Sequence, residues 1–203
     1  MRAAVEILDG GGEDALTFRA LAAHLSTGAG AMYRHVSHKD DLLEAAAAEL
    51  VGDAIAGASS DGAAVSIPDV MLELFDLIRA HPWLGAQLAR APWQTAVLLV
   101  FEEVGERLPA AGVPEGGRFE VASTLVHFLL GAAGQYAAST RITIGRAEFL
   151  KEVAANWASH AGREGMPFVH AISAELADHS DRRQFAAGVG LILAGAAAAP
   201  HQD

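Results

Sequence analysis

Alanine does most to narrow what this chain can fold into. It fills 44 of the 203 positions, and it is the best helix former and a poor strand former. No stretch rich in Val, Ile and Thr alternates apolar with polar residues, so no strand is expected. The prediction is an almost all-α protein. Hydrophobic types reach 52% against 19% charged, which is too apolar for disorder and enough for a real core. Lys plus Arg is 14 and Asp plus Glu is 25, a net charge of −11. That balance excludes a protein that coats nucleic acid over its whole surface, although it leaves room for a local basic face. With no cysteine, disulfide scaffolds, thiol catalysis and Cys-ligated zinc are out. Met1 to Gly10 holds one basic residue and no long apolar run, so no signal peptide is expected and the expected location is cytoplasmic.

Helix signals follow in order. Ala3 to Asp9 reads as a short helix that Gly10-Gly11-Gly12 should stop. Thr17 is an N-cap for Phe18 to Leu25. Beyond Ser26-Thr27-Gly28 a third short helix is expected from about Ala29 to His35. Ser37-His38-Lys39-Asp40 has the Ser-x-x-Asp form of a capping box. It opens a longer fourth helix, running to about Gly57, with Leu43, Ala47, Leu50 and Ala54 on one face. Ala58 to Ser66 is a small-residue linker, and Ser66 with Asp69 repeats the capping pattern with Pro68 in the first turn. Further helices are expected at about Asp69–Ala80, within Pro82–Pro92, and at Gln94–Ala110, Glu115–Thr140, Ala147–Ala161, Phe168–Ala177 and Arg182–Ala199, the last capped by Asp181.

Three short helices before a long one, with a three-residue turn between the second and third, form a helix-turn-helix arrangement. Its third helix enters the DNA major groove. Phe18, Leu21, Ala22, Leu25, Met32 and Tyr33 can pack these helices together. Gly28, Ala29, Gly30 and Ala31 are small enough for close approach to DNA.

The stretch Leu16-Thr17-Phe18-Arg19-Ala20-Leu21-Ala22, then Leu25, then Gly30-Ala31-Met32-Tyr33-Arg34-His35-Val36, then Lys39-Asp40-Asp41-Leu42-Leu43, resembles the N-terminal domain of TetR-family regulators. Order and spacing match from Ala3 to about Leu50; beyond that the likeness is architectural. The resemblance implies a helix-turn-helix DNA-binding domain at 1–45 and a helical effector-binding and dimerisation bundle at 46–203. It implies that Thr17, Tyr33, His35 and Lys39 touch phosphate, Lys39 aided by a helix N-terminus. Base reading then falls to Thr27, Gly28, Ala29 and Ala31, assisted by Arg19.

The departures from the family pattern carry predictions of their own. Ser26 and Thr27 stand where the family has Gly and an apolar residue, and Gly28 replaces a polar cap. Residues 1–39 carry Arg2, Arg19, Arg34 and Lys39 against Glu6, Asp9, Glu13 and Asp14, a net of 4 − 4 = 0. Weak, strongly salt-dependent binding is expected. Specificity should rest on thymine-methyl contacts, Arg19 and DNA shape.

Val121 to Thr140 contains no charged residue. Its Ser, Thr, His and Gln content argues against a lipid-facing helix, and a helix buried on nearly all sides is expected instead. Thr124, His127, Gly131, Gln135 and Ala138 fall on one stripe. A polar stripe on a buried helix needs hydrogen-bond partners, either a neighbouring helix and water or an effector. Trp83, Trp93, Phe101, Phe128 and Tyr136, with His81, His127 and Gln135, are the candidate pocket residues, since aromatic walls with few polar groups make ligand sites. The same aromatics at helical spacing serve equally as core. Trp157, Asn156 and His160 are weaker candidates. Ala186, Gly190, Ala194 and Ala198 form a small-residue ridge suited to close helix approach, within one subunit or between two. The resemblance implies a four-helix bundle across a two-fold axis, with this ridge as dimer interface.

No Gly-x-Ser-x-Gly, P-loop, His-Glu-x-x-His or dinucleotide fingerprint is present, so no enzyme, metal or cofactor is expected. The expected protein is a homodimeric, ligand-responsive repressor, bound to a palindromic double-stranded operator and released by a largely apolar small molecule, with no membrane partner. The helix from Lys39 to Gly57 is the expected lever. The rival is a helical small-molecule-binding protein whose DNA head is weakened or lost.

Overall fold

In a computed structural model the chain is described at residues 1–26, 38–58, 65–90, 93–139 and 145–198, without the side chains of 136–139 and 163. Ten α-helices lie in these segments: α1 (Arg2–Ala15), α2 (Phe18–His24), α3 (Lys39–Ala58), α4 (Ile67–Ala80), α5 (Pro82–Arg90), α6 (Thr95–Arg107), α7 (Arg118–Ser139), α8 (Arg146–Glu164), α9 (Pro167–Ala177) and α10 (Asp181–Ala198). No strand occurs among the described residues. The expected third helix, with Thr27, Gly28, Ala29, Ala31, Tyr33 and His35, lies outside them, and α3 is the long helix expected as the fourth.

The glycine triplet interrupts the first helix as expected: Gly12 leaves the helical region at φ 68°, ψ −169°, a conformation that only glycine adopts readily, and a second helical piece follows across the kink to Ala15. The bend also brings Gly11 against Ala15, where a Cβ on Gly11 would sit 2.5 Å from the alanine Cβ. Buried Leu8 and Leu16 anchor the chain on either side. Thr17 caps α2 as expected, its Oγ1 accepting the Ala20 N–H at 3.0 Å. At the other end of α2, His24 Nε2 donates to Glu6 Oε2 at 2.8 Å, tying α2 to α1.

At the start of α3 the Asp41 carboxylate accepts the His38 N–H at 3.0 Å; the expected box of Ser37 with Asp40 falls on Ser37, which lies outside the described residues. The Ser66–Asp69 box on α4 forms with both halves in place. Hydrogen bonds from the Ser66 side chain and backbone hold the Asp69 carboxyl below its ordinary range. On α10 the cap is Ser180, whose Oγ accepts the Arg183 N–H at 3.4 Å. Asp181 is thereby left for other partners. The N-terminus of α6 is served from another helix: Glu44 Oε1 on α3 accepts from Thr95 N at 3.3 Å.

One core runs through the molecule. Leu8 and Leu16 of the N-terminal region, Leu43 and Val51 of α3, Met71 and Ile78 of α4, Leu84 of α5 and Leu125 and Leu129 of α7 are all no more than 2% exposed. α5 and α7 approach closely where Gly85 lies against the α7 backbone: a Cβ there would come 2.7 Å from the Ala133 carbonyl oxygen. α8 and α9 pack on each other as a hairpin, turned by Gly165 at φ 67°.

The expectation of an α7 buried on nearly all sides needs correction. Ala122, Leu125, Val126, Leu129 and Ala133 are buried, whereas Thr124, His127, Gly131 and Gln135 are exposed. The polar stripe faces a groove rather than the interior. The lack of charge from Val121 onward therefore does not mark a helix enclosed all round.

Candidate functional site

A cavity of about 750 Å³ opens between α4, α7, the start of α8 and α10. Its aromatic wall is a ladder of three near-parallel rings from three helices. Phe75 and Phe185 have centroids 4.5 Å apart at 14°, and Phe185 and Phe128 are 5.0 Å apart at 8°. Offset aromatic stacking contributes about 0.5–1.5 kcal/mol per pair beyond burial. Gly188 makes the ladder possible, since a Cβ there would lie 2.3 Å from Phe128 Cζ. Phe149 from α8 is a fourth ring on the lining.

The charged lining groups neutralise each other. Arg146 donates from Nε to Asp181 Oδ2 at 3.2 Å and from Nη2 to Oδ1, and its guanidinium also lies 5.8 Å from the Phe149 ring centroid. His179 Nε2 lies 3.1 Å from Asp181 Oδ1. By contrast, the side chains of His127, Gln135 and Gln184 line the same space without a hydrogen-bond partner among the described residues.

Of the eight pocket candidates read from sequence, His127, Phe128 and Gln135 come together here. The side chain of Tyr136 lies outside the described residues. His81, Trp83, Trp93 and Phe101 are not on the lining: Trp93 is a surface side chain, 76% exposed, and Phe101 packs half-buried on the core. The sequence reading missed Phe75, Arg146, Phe149, Asp181, Gln184 and Gly188. A usable signal for α10 was Gln184, Ala187, Gly188 and Leu191 at i, i+3, i+4 and i+7, which is one helical face.

His81 and Trp83 act elsewhere. His81 Nδ1 donates to Asp9 Oδ1 at 2.8 Å and Trp83 Nε1 donates to the same oxygen at 2.9 Å. Nearby, Arg90 Nη2 donates to both carboxylate oxygens of Glu13 at 2.9 and 2.7 Å, and Arg90 Nη1 lies 3.8 Å from Asp40 of α3. The end of α1 and the start of α3 are thus fastened to α5.

Thr17, Arg19 and Lys39 line one surface depression, together with Leu16, Phe18 and Leu42. The helix-turn-helix turn begins with Ser26 at φ 51°, a left-handed conformation at the position where the resemblance expects glycine. Along α10, Gly190, Ala194 and Ala198 of the small-residue ridge are exposed and Ala186 is half-buried. Among the described residues nothing lies within 4 Å of where a Gly190 Cβ would stand.

Comparison with known proteins fits this architecture. The family model for bacterial regulatory proteins of the tetR family matches residues 1–46. An HTH-type transcriptional regulator of Saccharopolyspora erythraea is 30% identical over 169 residues, covering 79% of this chain and 71% of the relative. The solved structure of SCO7222, a TetR transcriptional regulator of Streptomyces coelicolor, superposes with a TM-score of 0.82 at 43% identity over 97% of this chain and 95% of that one. ActR of Streptomyces coelicolor, solved with actinorhodin, shares the fold at a TM-score of 0.71 and 22% identity over 98% and 96% of the two chains. With its head matched by the family model and nearly its whole length shared with relatives at these identities, the chain belongs to the TetR family of bacterial transcriptional regulators.

Proposed function

We propose that this regulator is a homodimeric repressor, bound to a palindromic double-stranded operator through residues 1–45 and released when a small, largely apolar molecule enters the cavity between α4, α7, α8 and α10. The observation that carries the reading is the cavity itself: an aromatic wall with unpartnered His127, Gln135 and Gln184 is the composition of a small-molecule site. It sits in a chain whose N-terminal residues match the family's DNA-binding head. The left-handed turn at Ser26 supports a working head over a degenerate one. The shared depression of Thr17, Arg19 and Lys39 supports their role on phosphate, and Tyr33 and His35 join them as proposed phosphate contacts. The outward-facing ridge of Ala186, Gly190, Ala194 and Ala198 supports pairing of two subunits through α10 and α7.

Effector binding selects among conformations rather than pushing a rigid body. α7 carries His127 and Gln135, α5 lies against α7 at Gly85, and α5 holds α1 and α3 through Trp83 and Arg90. A shift of α7 reaches the head by way of α5 as well as α3, and changes the spacing of the two recognition helices. No described helix is long and apolar enough to cross a membrane, and we place the protein in the cytoplasm with its DNA.

In vitro selection from random duplexes with the purified chain tests this reading. The expected product is a palindrome with half-sites about 34 Å apart or a multiple of that. Failure to enrich any sequence, with ligand binding retained, would leave a helical small-molecule-binding protein without a working head.

A further inference from the structure

Resting on the reading of the cavity as an effector site, we propose that its ligand is an uncharged, planar, ring-fused aromatic molecule that carries hydroxyl and carbonyl oxygens on its rim. Planarity follows from the ladder. Phe75, Phe185 and Phe128 stack in series with neighbouring ring planes 14° and 8° apart, and Phe128, the part-buried last member, lines the cavity. A flat aromatic ligand continues that series by one step, whereas a saturated or branched skeleton meets it with poor contact.

Neutrality follows from the charges. Asp181 is shared by Arg146 and His179, so the cationic and anionic lining groups already satisfy each other. A ligand carboxylate would have to displace Asp181 from Arg146, and a ligand cation would have to draw Asp181 away from two basic partners. The rim oxygens follow from His127, Gln135 and Gln184. These side chains have donors and acceptors but no protein partner among the described residues. A pure hydrocarbon would strip their water and return nothing, and buried polar groups are rarely left that way. Amides offer both a donor and an acceptor, which matches a rim carrying hydroxyl and carbonyl groups together.

Titration of the full chain with three probes tests the class: 1,8-dihydroxyanthraquinone, anthraquinone-2-carboxylate and dodecanol, each followed by calorimetry and by melting temperature. The dihydroxyanthraquinone should bind about tenfold or more tightly than either of the others, because only it satisfies the polar rim without breaking an ion pair. Gln135→Leu and Gln184→Leu, both at exposed positions, should each weaken it by about five- to tenfold while dodecanol binding holds or improves. Gly188→Ala, whose Cβ collides with the Phe128 ring and so must displace the last member of the ladder, should weaken all binding there. Carboxylate or dodecanol binding as tightly as the dihydroxyanthraquinone, with sensitivity to Gly188→Ala, overturns the ligand class and leaves the effector site standing. Binding of all three probes that ignores every cavity substitution overturns both. So does the absence of any binding.

Discussion

The indole N–H of Trp83, on a side chain only 6% exposed, donates to Oδ1 of Asp9 at 2.9 Å across 74 residues of sequence. The same oxygen takes a second hydrogen bond from His81. This contact, with Arg90 on Glu13, fixes the N-terminal helix to α5, which in turn lies against the helix that carries His127 and Gln135.

Asp9→Ala strands a nearly buried indole donor and removes the partner of His81. Losing one partner of a buried group costs about 1–3 kcal/mol. Urea unfolding should place the loss in that range, reduced toward its lower end by the part-exposure of Asp9. Trp83→Phe removes the N–H but keeps most of the ring and should cost less. If Asp9→Ala unfolds like the wild type, the clasp contributes nothing to holding the head.

Gly85 gives a second test of the same route. A Cβ there stands 2.7 Å from a backbone oxygen of α7, an atom that cannot turn aside. Gly85→Ala should therefore force α5 and α7 apart at a cost of about 1–3 kcal/mol, or roughly 2–4 °C per kcal/mol in a domain this size. Gly105→Ala is the control, since its Cβ meets nothing within 4 Å; it should gain up to about 1 kcal/mol from helix propensity alone. A Gly85→Ala protein as stable as Gly105→Ala would mean that the helices part without cost.

The fold was readable from the sequence because helices declare themselves locally. The Ser66–Asp69 box and the Thr17 cap depend only on residues three apart, and both form. The cavity was half-readable. His127, Phe128 and Gln135 share one helix and one stripe, whereas Phe75 and Phe185 meet Phe128 from helices far apart in sequence, and no local period reveals that meeting. Trp83 and His81 misled for a related reason. An aromatic and an imidazole look alike as pocket wall or as hydrogen-bond donor until a distant carboxylate, here Asp9, is seen to receive them. The break at Gly10-Gly11-Gly12 was readable, because glycine readily supplies the positive φ that Gly12 adopts, whereas the short helical piece that follows it to Ala15 was not.

Ser26 occupies a left-handed conformation at φ 51°. For a residue with a Cβ that costs about 1–2 kcal/mol, while glycine brings about 0.5–1 kcal/mol of extra freedom to the unfolded chain. Ser26→Gly should stabilise the chain by a net of about 0.5–1 kcal/mol in denaturant melts, and Ser26→Val, β-branched, should destabilise it. Stabilisation by Val would show that the turn does not need the left-handed residue.

Lys39 lies in the same depression as Thr17 and Arg19. A contact to phosphate, the role proposed for Lys39, acts on every DNA sequence alike. Lys39→Ala should weaken binding to the selected operator and to random duplex by similar factors, and should reduce the slope of log affinity against log salt by roughly 0.9. An unchanged slope removes Lys39 from the set of contacts.

The last prediction concerns assembly. Gly190 is exposed, and a Cβ there meets nothing within 4 Å among the described residues, so Gly190→Leu starts from open surface on its own subunit. If the ridge meets its symmetry mate, the leucine falls where two backbones approach most closely. Overpacking of that kind costs about 1–3 kcal/mol, and a two-fold axis incurs it twice. Sedimentation over a concentration series should then show dimers dissociating at concentrations where the wild type remains paired. Operator affinity should fall in the same samples, because half-sites about 34 Å apart need two linked recognition helices. The substitution lies on the last helix, outside the residues matched as the DNA-binding head, so no local effect on a DNA contact imitates this result. A variant that stays dimeric and binds operator normally would move the interface off this ridge.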